Sequence, residues 1–304
     1  MGRYIMGRAV QGLTSMFLVT IFVFGIVRLS GDPLQMLLPE EAPPEQYAEM
    51  KKLLYLDKPI VVQYWKWISR VVRGDLGTST KLRIPVMELI GERLPNTLQL
   101  AAVAFAFTLT LGLAVGVYAA AWRGSVVDYV ARGFAVMGQA APSFWSGIIF
   151  ILIFAVYLRW LPAGGKGGLS SIILPAFTLG WLPVAGVMRM TRSSMLEVLN
   201  SEYIKLARIK GVRETLVLWK HGFKNAALPV LTYTALIFIA MINGSVIIET
   251  VFAWPGIGRL VLEAVLNRDF PIVQAVVLMF STWYILGNLF IDIGYAYLNP
   301  RIRY

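Results

Sequence analysis

Six apolar runs, at 9–29, 98–121, 133–158, 172–188, 229–248 and 272–298, constrain this chain more than any other feature. A helix crosses the hydrocarbon of a bilayer in about 20 residues, so each run is read as a transmembrane helix. Composition agrees. Hydrophobic residues make up 57% of the 304 and charged residues 15%, against about a quarter charged in ordinary soluble domains. The fold expected is an all-α membrane protein with six transmembrane helices. The fourth run is the shortest and holds Pro175 and Pro183, so its ends are the least sharply drawn.

Arg3 and Arg8 precede the first run as they would in a secretory leader. The run is too long for one, and Arg28-Leu29-Ser30-Gly31-Asp32 has no small-x-small cleavage site, so it reads as an uncleaved anchor. Without cysteine the chain has no disulfide, thiol nucleophile or thiolate metal site. The net charge of +11 is unevenly spread. With the N-terminus inside, the inner pieces carry two Arg (1–8), two Arg and one Asp (122–132), eight Lys/Arg and three Glu (189–228) and two Arg (299–304), a net of +10. The long outer segment, 30–95, is balanced at nine basic and nine acidic residues. Positive charge on the inner side places both termini in the cytoplasm. The basic excess is a topology signal, with some attraction to anionic lipid heads, and does not point to nucleic acid.

Between Met190 and Pro229 the apolar rhythm stops. Glu202, Tyr203, Leu206 and Ala207 recur at helical spacing, Gly211 breaks the run, and Glu214 to Ala227 resumes it. Two or three residues would connect two spans. A long, basic, amphipathic helix-Gly-helix is therefore read as a docking element for a cytoplasmic partner; the alternative is a solvated connection.

In the outer segment, Pro43 and Pro44 open a helix through Leu54, and Pro59 opens a second. Val61, Tyr64, Trp65, Ile68, Val71 and Val72 form its apolar face, suited to the membrane surface. Gly74 to Ser79 is a turn, and a third short helix over 85–93 runs into the second span. The segment is either a structural cap or a substrate-contacting element. Gly112 and Gly116 form a small-xxx-small pair, read as a packing feature. The run Gly164-Gly165-Lys166-Gly167-Gly168 lacks the spacing of a phosphate loop and reads as a flexible turn.

One histidine, His221, and no cysteine exclude the usual transition-metal sets and a Ser-His or Cys-His nucleophile within the membrane. Polar groups at membrane depth are functional candidates. Asn288 and Asp292 lie four apart on the last run, read as a buried polar pair in which Asp292 either meets a basic residue or relays protons. Asn243 and Glu249 on the fifth run are read as lining a polar pathway. Trp254, Pro255 and Gly256 form a rigid corner, either an outer gate or an interfacial anchor.

Several motifs then carry a resemblance. EYIKLARIKG at 202–211 followed by NAALP at 225–229 resembles the cytoplasmic EAA loop of ABC-importer permeases. With GDP at 31–33, LDKPIVVQYWKWI at 56–68, GDLGTS at 74–79, PVMELIGERLPNTL at 85–98, IIETVFAWPGIGRLV at 247–261, NRDFPIVQAVVL at 267–278 and NPRIRY at 299–304, the chain is similar throughout to the peptide/nickel (oligopeptide, dipeptide, glutathione) permease family, B-type subunit. It departs from the Glu-Ala-Ala consensus at Lys205, Leu206, Ala207 and Lys210, while Gly211 matches.

The resemblance implies a type I ABC importer permease in a bacterial or archaeal inner membrane, with no chemistry and no cofactor of its own. It implies a second homologous permease, two cytoplasmic ATPases that bind ATP and Mg, an external substrate-binding protein and surrounding lipid. Glu202, Tyr203, Lys205, Ala207, Arg208, Lys210, Gly211, His221, Asn225 and Pro229 would form the ATPase-coupling loop. The implied organisation is an anchor (1–29), an external segment (30–93), a permease domain (94–292) containing the coupling loop (190–228), and a tail (293–304). Peptides are the substrate implied, with nickel or a metal chelate as the alternative. A stand-alone channel or carrier would not need the docking segment, and a membrane enzyme would show a catalytic cluster.

Overall fold

The architecture comes from a computed structural model that describes residues 2–29, 43–53 and 55–298. The GDP motif at 31–33, Leu54 and the tail at 299–304 lie outside the described residues. In chain order the helices are α1 (Gly2–Leu29), α2 (Pro44–Leu53), α3 (Ile60–Val72), α4 (Val86–Ala121), α5 (Val126–Ala140) and α6 (Ser143–Phe150), which continues as a π-helix over Ile151–Tyr157. A 3-10 turn (Leu169–Ile172) leads into α7 (Ile173–Leu199), followed by α8 (Glu202–Ile209) and α9 (Glu214–Leu216). A π-helical stretch (Val217–Phe223) joins α9 to α10 (Lys224–Val251), and α11 (Ile257–Leu266) and α12 (Phe270–Leu298) complete the order. Among the described residues the only β pairing is an isolated bridge between Thr78 and Pro85.

Among the described residues five helical stretches are long and apolar enough to cross a membrane, or six if one bent pair is a single span. The third expected span, 133–158, is not one straight helix: Val126–Gly138 and Ser143–Tyr157 meet at 105°. The cause is local. Pro142 has no N–H to continue the ladder, and it forces Ala141 into extended backbone (φ −104°, ψ 133°). The fourth span is longer than its apolar run, because α7 continues from Met188 to Leu199. Met188, Met195 and Leu199 are buried at helical spacing, so packing carries the helix beyond the residues that hydropathy marks.

By contacts the chain divides into two compact units, one of Met1–Pro95 and Gly256–Leu289, the other of Asn96–Pro255 and Phe290–Arg303. In the first, Val86, Leu89 and Ile90 of α4 pack with Ile257 and Leu260 of α11 and with Ile272 and Val276 of α12. The GDLGTS turn is pinned by Asp269, whose carboxylate accepts Ser79 Oγ and the N–H groups of Thr80 (3.2 Å) and Lys81 (3.3 Å). Helix α3 does not simply rest on the membrane surface. Its Tyr64 hydroxyl lies 2.7 Å from Thr20 Oγ1 of α1, and Phe24 packs between Tyr64 and Trp67. Trp67, outside the apolar face drawn from periodicity, thus joins the contact. Val61, Trp65 and Val72 remain exposed.

In the second unit one cluster unites Leu100 and Ala104 of α4, Leu174 and Leu179 of α7, and Ile248, Phe252 and Trp254. Gly112 and Gly116 face α7: a Cβ there would come within 2.8 Å of Val187 and 2.6 Å of Thr191. The small-residue pair is thus used within the chain. Topology is open to a direct check, because Ala48 and Thr215 are both exposed in a cysteine-free background. A cysteine at position 48 should react with an impermeant maleimide from outside, and one at 215 only after permeabilisation. The opposite pattern would invert the assignment.

Candidate functional site

Helix α8 is short and two-faced. Ile204 is fully buried among Val117 and Ala120 of α4, Met195 and Leu199 of α7, and Val217, Leu218 and Ala226. On the other side Tyr203, Leu206 and Ile209 are exposed, Ile209 by 81%. One apolar residue anchors the helix to three spans while a second apolar surface stays uncovered. Its end is built by Gly211, at φ +75°. The Gly211 N–H donates to Arg208 O at 3.0 Å and the Val212 N–H to Ala207 O at 3.2 Å. Those paired bonds close a helix C-terminus around a left-handed residue, a conformation that side chains with a Cβ resist. Lys210 is the exposed C-cap, and Ala207 and Val212 join the cluster around Ile204.

Charged side chains brace this turn. Arg208 grips Glu214 across it with both arms (2.7 and 3.2 Å), and Lys205 pairs with Glu202 at 2.7 Å. All four are exposed, so each pair contributes at most about 1 kcal/mol. The remaining residues assigned to the coupling loop lie elsewhere. His221 is half-buried on the π-helical stretch, and its carbonyl accepts Asn225 Nδ2 at 2.7 Å. Asn225 and Pro229 are exposed on α10. The stretch 190–228 is therefore not one loop: α7 runs to Leu199, helix resumes at Glu214, and only 200–213 connects them.

A buried ion pair beside this element was not among the expected site residues. Asp128 of α5, 1% exposed, receives Arg192 of α7 in a two-pronged contact at 2.7 and 2.9 Å. The Gly124 N–H adds a bond at 3.0 Å. Ser125-x-x-Asp128 also caps α5, with Ser125 Oγ accepting the Asp128 N–H at 3.4 Å. The signal that sequence offered is charge: Asp128 is the lone carboxylate of its piece, 122–132.

At the end of α10 the expected pathway residues split. Glu249 is fully buried; it accepts Thr97 Oγ1 at 2.7 Å and Ser245 Oγ at 3.0 Å, and so lines no open surface here. Trp254 is 1% exposed and donates Nε1–H to Asn96 O at 3.0 Å, which removes the interfacial-anchor alternative. Asn96 ties the corner together, donating to Pro255 O at 2.7 Å and accepting Lys166 Nζ at 2.6 Å. The glycine run is docked by this contact and by Gly165 N–H to Phe252 O at 2.8 Å. A Cβ on Gly164 would fall 2.3 Å from that carbonyl, so the run is a fitted strap in place of the flexible turn expected. Gly256 begins α11 as its N-cap. Trp254→Phe should keep the packing and lose the bond, lowering stability by about 1 kcal/mol, the net contribution of one hydrogen bond. Thermal unfolding reads this; an unchanged midpoint would remove Asn96 as the partner that matters.

Asn243 is half-buried, its Oδ1 buried without a hydrogen-bond partner among the described residues. The cavity of about 630 Å³ between α7 and α10 is lined by its neighbours Ala240, Gly244 and Ile247, with Tyr233 and Ser143 as polar groups. Asn288 and Asp292 are each half-buried, short of the burial expected, and Asn288 Nδ2 bonds to Tyr284 O of its own helix at 2.8 Å.

Comparison with known proteins agrees with this architecture. Residues 112–304 match the family "Binding-protein-dependent transport system inner membrane component", and residues 1–101 match its N-terminal companion. The glutathione transport system permease protein GsiC of Salmonella typhimurium is 41% identical over 302 residues, and that of Escherichia coli K12 is 40% identical, each match covering 99% of both chains. Among solved structures, the MetNI methionine ABC transporter in inward-facing conformations aligns with a TM-score of 0.59 at 17% identity, covering 70% of this chain and 97% of that one. An amino acid ABC transporter aligns at 0.50 and 16%, covering 78% and 98%. At those identities the two structures speak for the fold alone. The chain belongs to the binding-protein-dependent transport system inner membrane components, the multi-pass permease subunits of bacterial ABC importers.

Proposed function

We propose that this chain is one half of the membrane pathway of a peptide importer, with glutathione-like tripeptides as the leading substrate class. The observation that carries the coupling half of this reading is α8. Its uncovered Tyr203, Leu206 and Ile209 form a small apolar face suited to a groove on a cytoplasmic ATPase, while Ile204 ties it to α4, α7 and α10. A push on α8 is then delivered to three spans together, a rigid-body route to alternating access. In this reading ATP and Mg are held by two ATPase subunits, a second homologous permease completes the pathway, and an external binding protein delivers substrate. The chain itself performs no hydrolysis. The glutathione assignment is supported by full-length identity to permeases so named.

The test is reconstitution with the ATPases, second permease and binding protein in vesicles. Uptake of labelled glutathione or a dipeptide should require both ATP and the binding protein. Uptake that persists without the ATPases would sink the reading, and uptake of neither peptide would overturn the substrate class.

A further inference from the structure

A cavity of about 410 Å³ lies among α1, α3, the turn after it and the start of α12. Its walls are of two kinds. Phe24, Trp67 and Phe270 supply aromatic surface, whereas Arg28, Lys66 and Arg70 bring three positive charges against one carboxylate, Asp75. That carboxylate is engaged locally, accepting the Gly77 N–H at 2.9 Å. Lys66 and Arg70 stand one helical turn apart on α3, exposed, and neither forms an ion pair among the described residues. Gln63, one turn before Lys66–Trp67, adds a polar demand. Its Nε2 donates to Lys58 O at 2.8 Å, but its Oε1 is buried with no hydrogen-bond partner among the described residues.

An occupant suited to these walls is anionic, carries a hydroxyl for Gln63 Oε1, and has apolar substance beside the charge. Its setting is the outer end of the first span, where Arg28 stands with its guanidinium 5.3 Å above the Phe24 ring. We propose that this cavity binds the headgroup of an anionic phospholipid of the outer leaflet, of the phosphatidylglycerol class. Lys66 and Arg70 take the phosphate, as paired cations do with phosphate oxygens, and the glycerol hydroxyls satisfy Gln63. The bound lipid cross-links the end of α1 to α3. An ethanolamine headgroup places a further cation in a site already rich in them.

The assembled transporter, purified in detergent, is offered phosphatidylglycerol or phosphatidylethanolamine, and retained lipid is counted by native mass spectrometry. Wild type should retain phosphatidylglycerol roughly thirtyfold over phosphatidylethanolamine, the scale expected for two surface cations. Lys66→Gln with Arg70→Gln should abolish that preference, while Arg123→Gln should keep it. As a second reading, phosphatidylglycerol with brominated acyl chains should quench fluorescence in wild type more than in Trp67→Phe. Equal retention of the two lipids by wild type, or a preference unchanged in the double variant, overturns the proposal. Inorganic phosphate raising the thermal midpoint as much as phosphatidylglycerol does would assign the site to a free anion and overturn the lipid. None of these readouts depends on transport, so a negative result leaves the importer assignment standing.

Discussion

With Gly211 replaced by valine, the assembled transporter should still hydrolyse ATP while peptide uptake falls roughly tenfold or more. Gly211 closes α8 in a left-handed conformation at φ +75°, which costs an L-residue about 1–2 kcal/mol and a β-branched one more. A penalty of about 1.4 kcal/mol already shifts a conformational equilibrium tenfold. The damage is local, because none of the described residues lies within 4 Å of where a Cβ would project. The protein should therefore insert and assemble, with only the exit angle of α8 altered. Asparagine visits the left-handed region more readily, so Gly211→Asn should retain most uptake. If Val, Asn and wild type all transported alike, α8 geometry would have no part in coupling.

The helix-Gly-helix was legible because its determinants are local: amphipathic spacing over Glu202–Ile209 and a glycine at the break. The spans were legible for the same reason, being runs of composition. What escaped was whatever depends on a partner distant in sequence. The expected span was drawn straight across Ala140–Ser143, where the backbone rule for the residue before proline marks the bend at Pro142. Leu199 ends α7 because it packs against residues from 117 to 226, which no window of α7 contains. Glu249 looked like a pathway group because a carboxylate in an apolar run is costly; its partner Thr97 lies 152 positions away. The pairing of Ser79 with Asp269, 190 positions apart, explains why GDLGTS and NRDFP occur together, which motif matching alone left without a physical reason.

The strongest of these distant contacts gives the second large expectation. Asp128→Ala should destabilise the protein by about 3 kcal/mol, the lower end of the cost of stripping one partner from a buried pair, since the Arg192 side chain keeps 20% exposure. Arg192 would be left beside a void, and α5 would lose a strap to α7 together with the acid that supports its first turn. Replacing both partners by apolar residues of similar size removes the charges without orphaning either, so Asp128→Leu with Arg192→Met should recover most of the loss. The Gly124 N–H, at an exposed position, can then turn to water. Thermal midpoints of wild type, Asp128→Leu, Arg192→Met and the double variant in one detergent form the cycle. A single variant as stable as wild type would show that the pair is bystander geometry. A double variant no better than Asp128→Ala would show that the carboxylate acts through Arg132, 3.4 Å away, Gly124 and the helix start. Recovery in the double variant, with uptake still low, would place the ion pair in the movement that links α5 to the α7–α8 element, beyond its part in holding the fold.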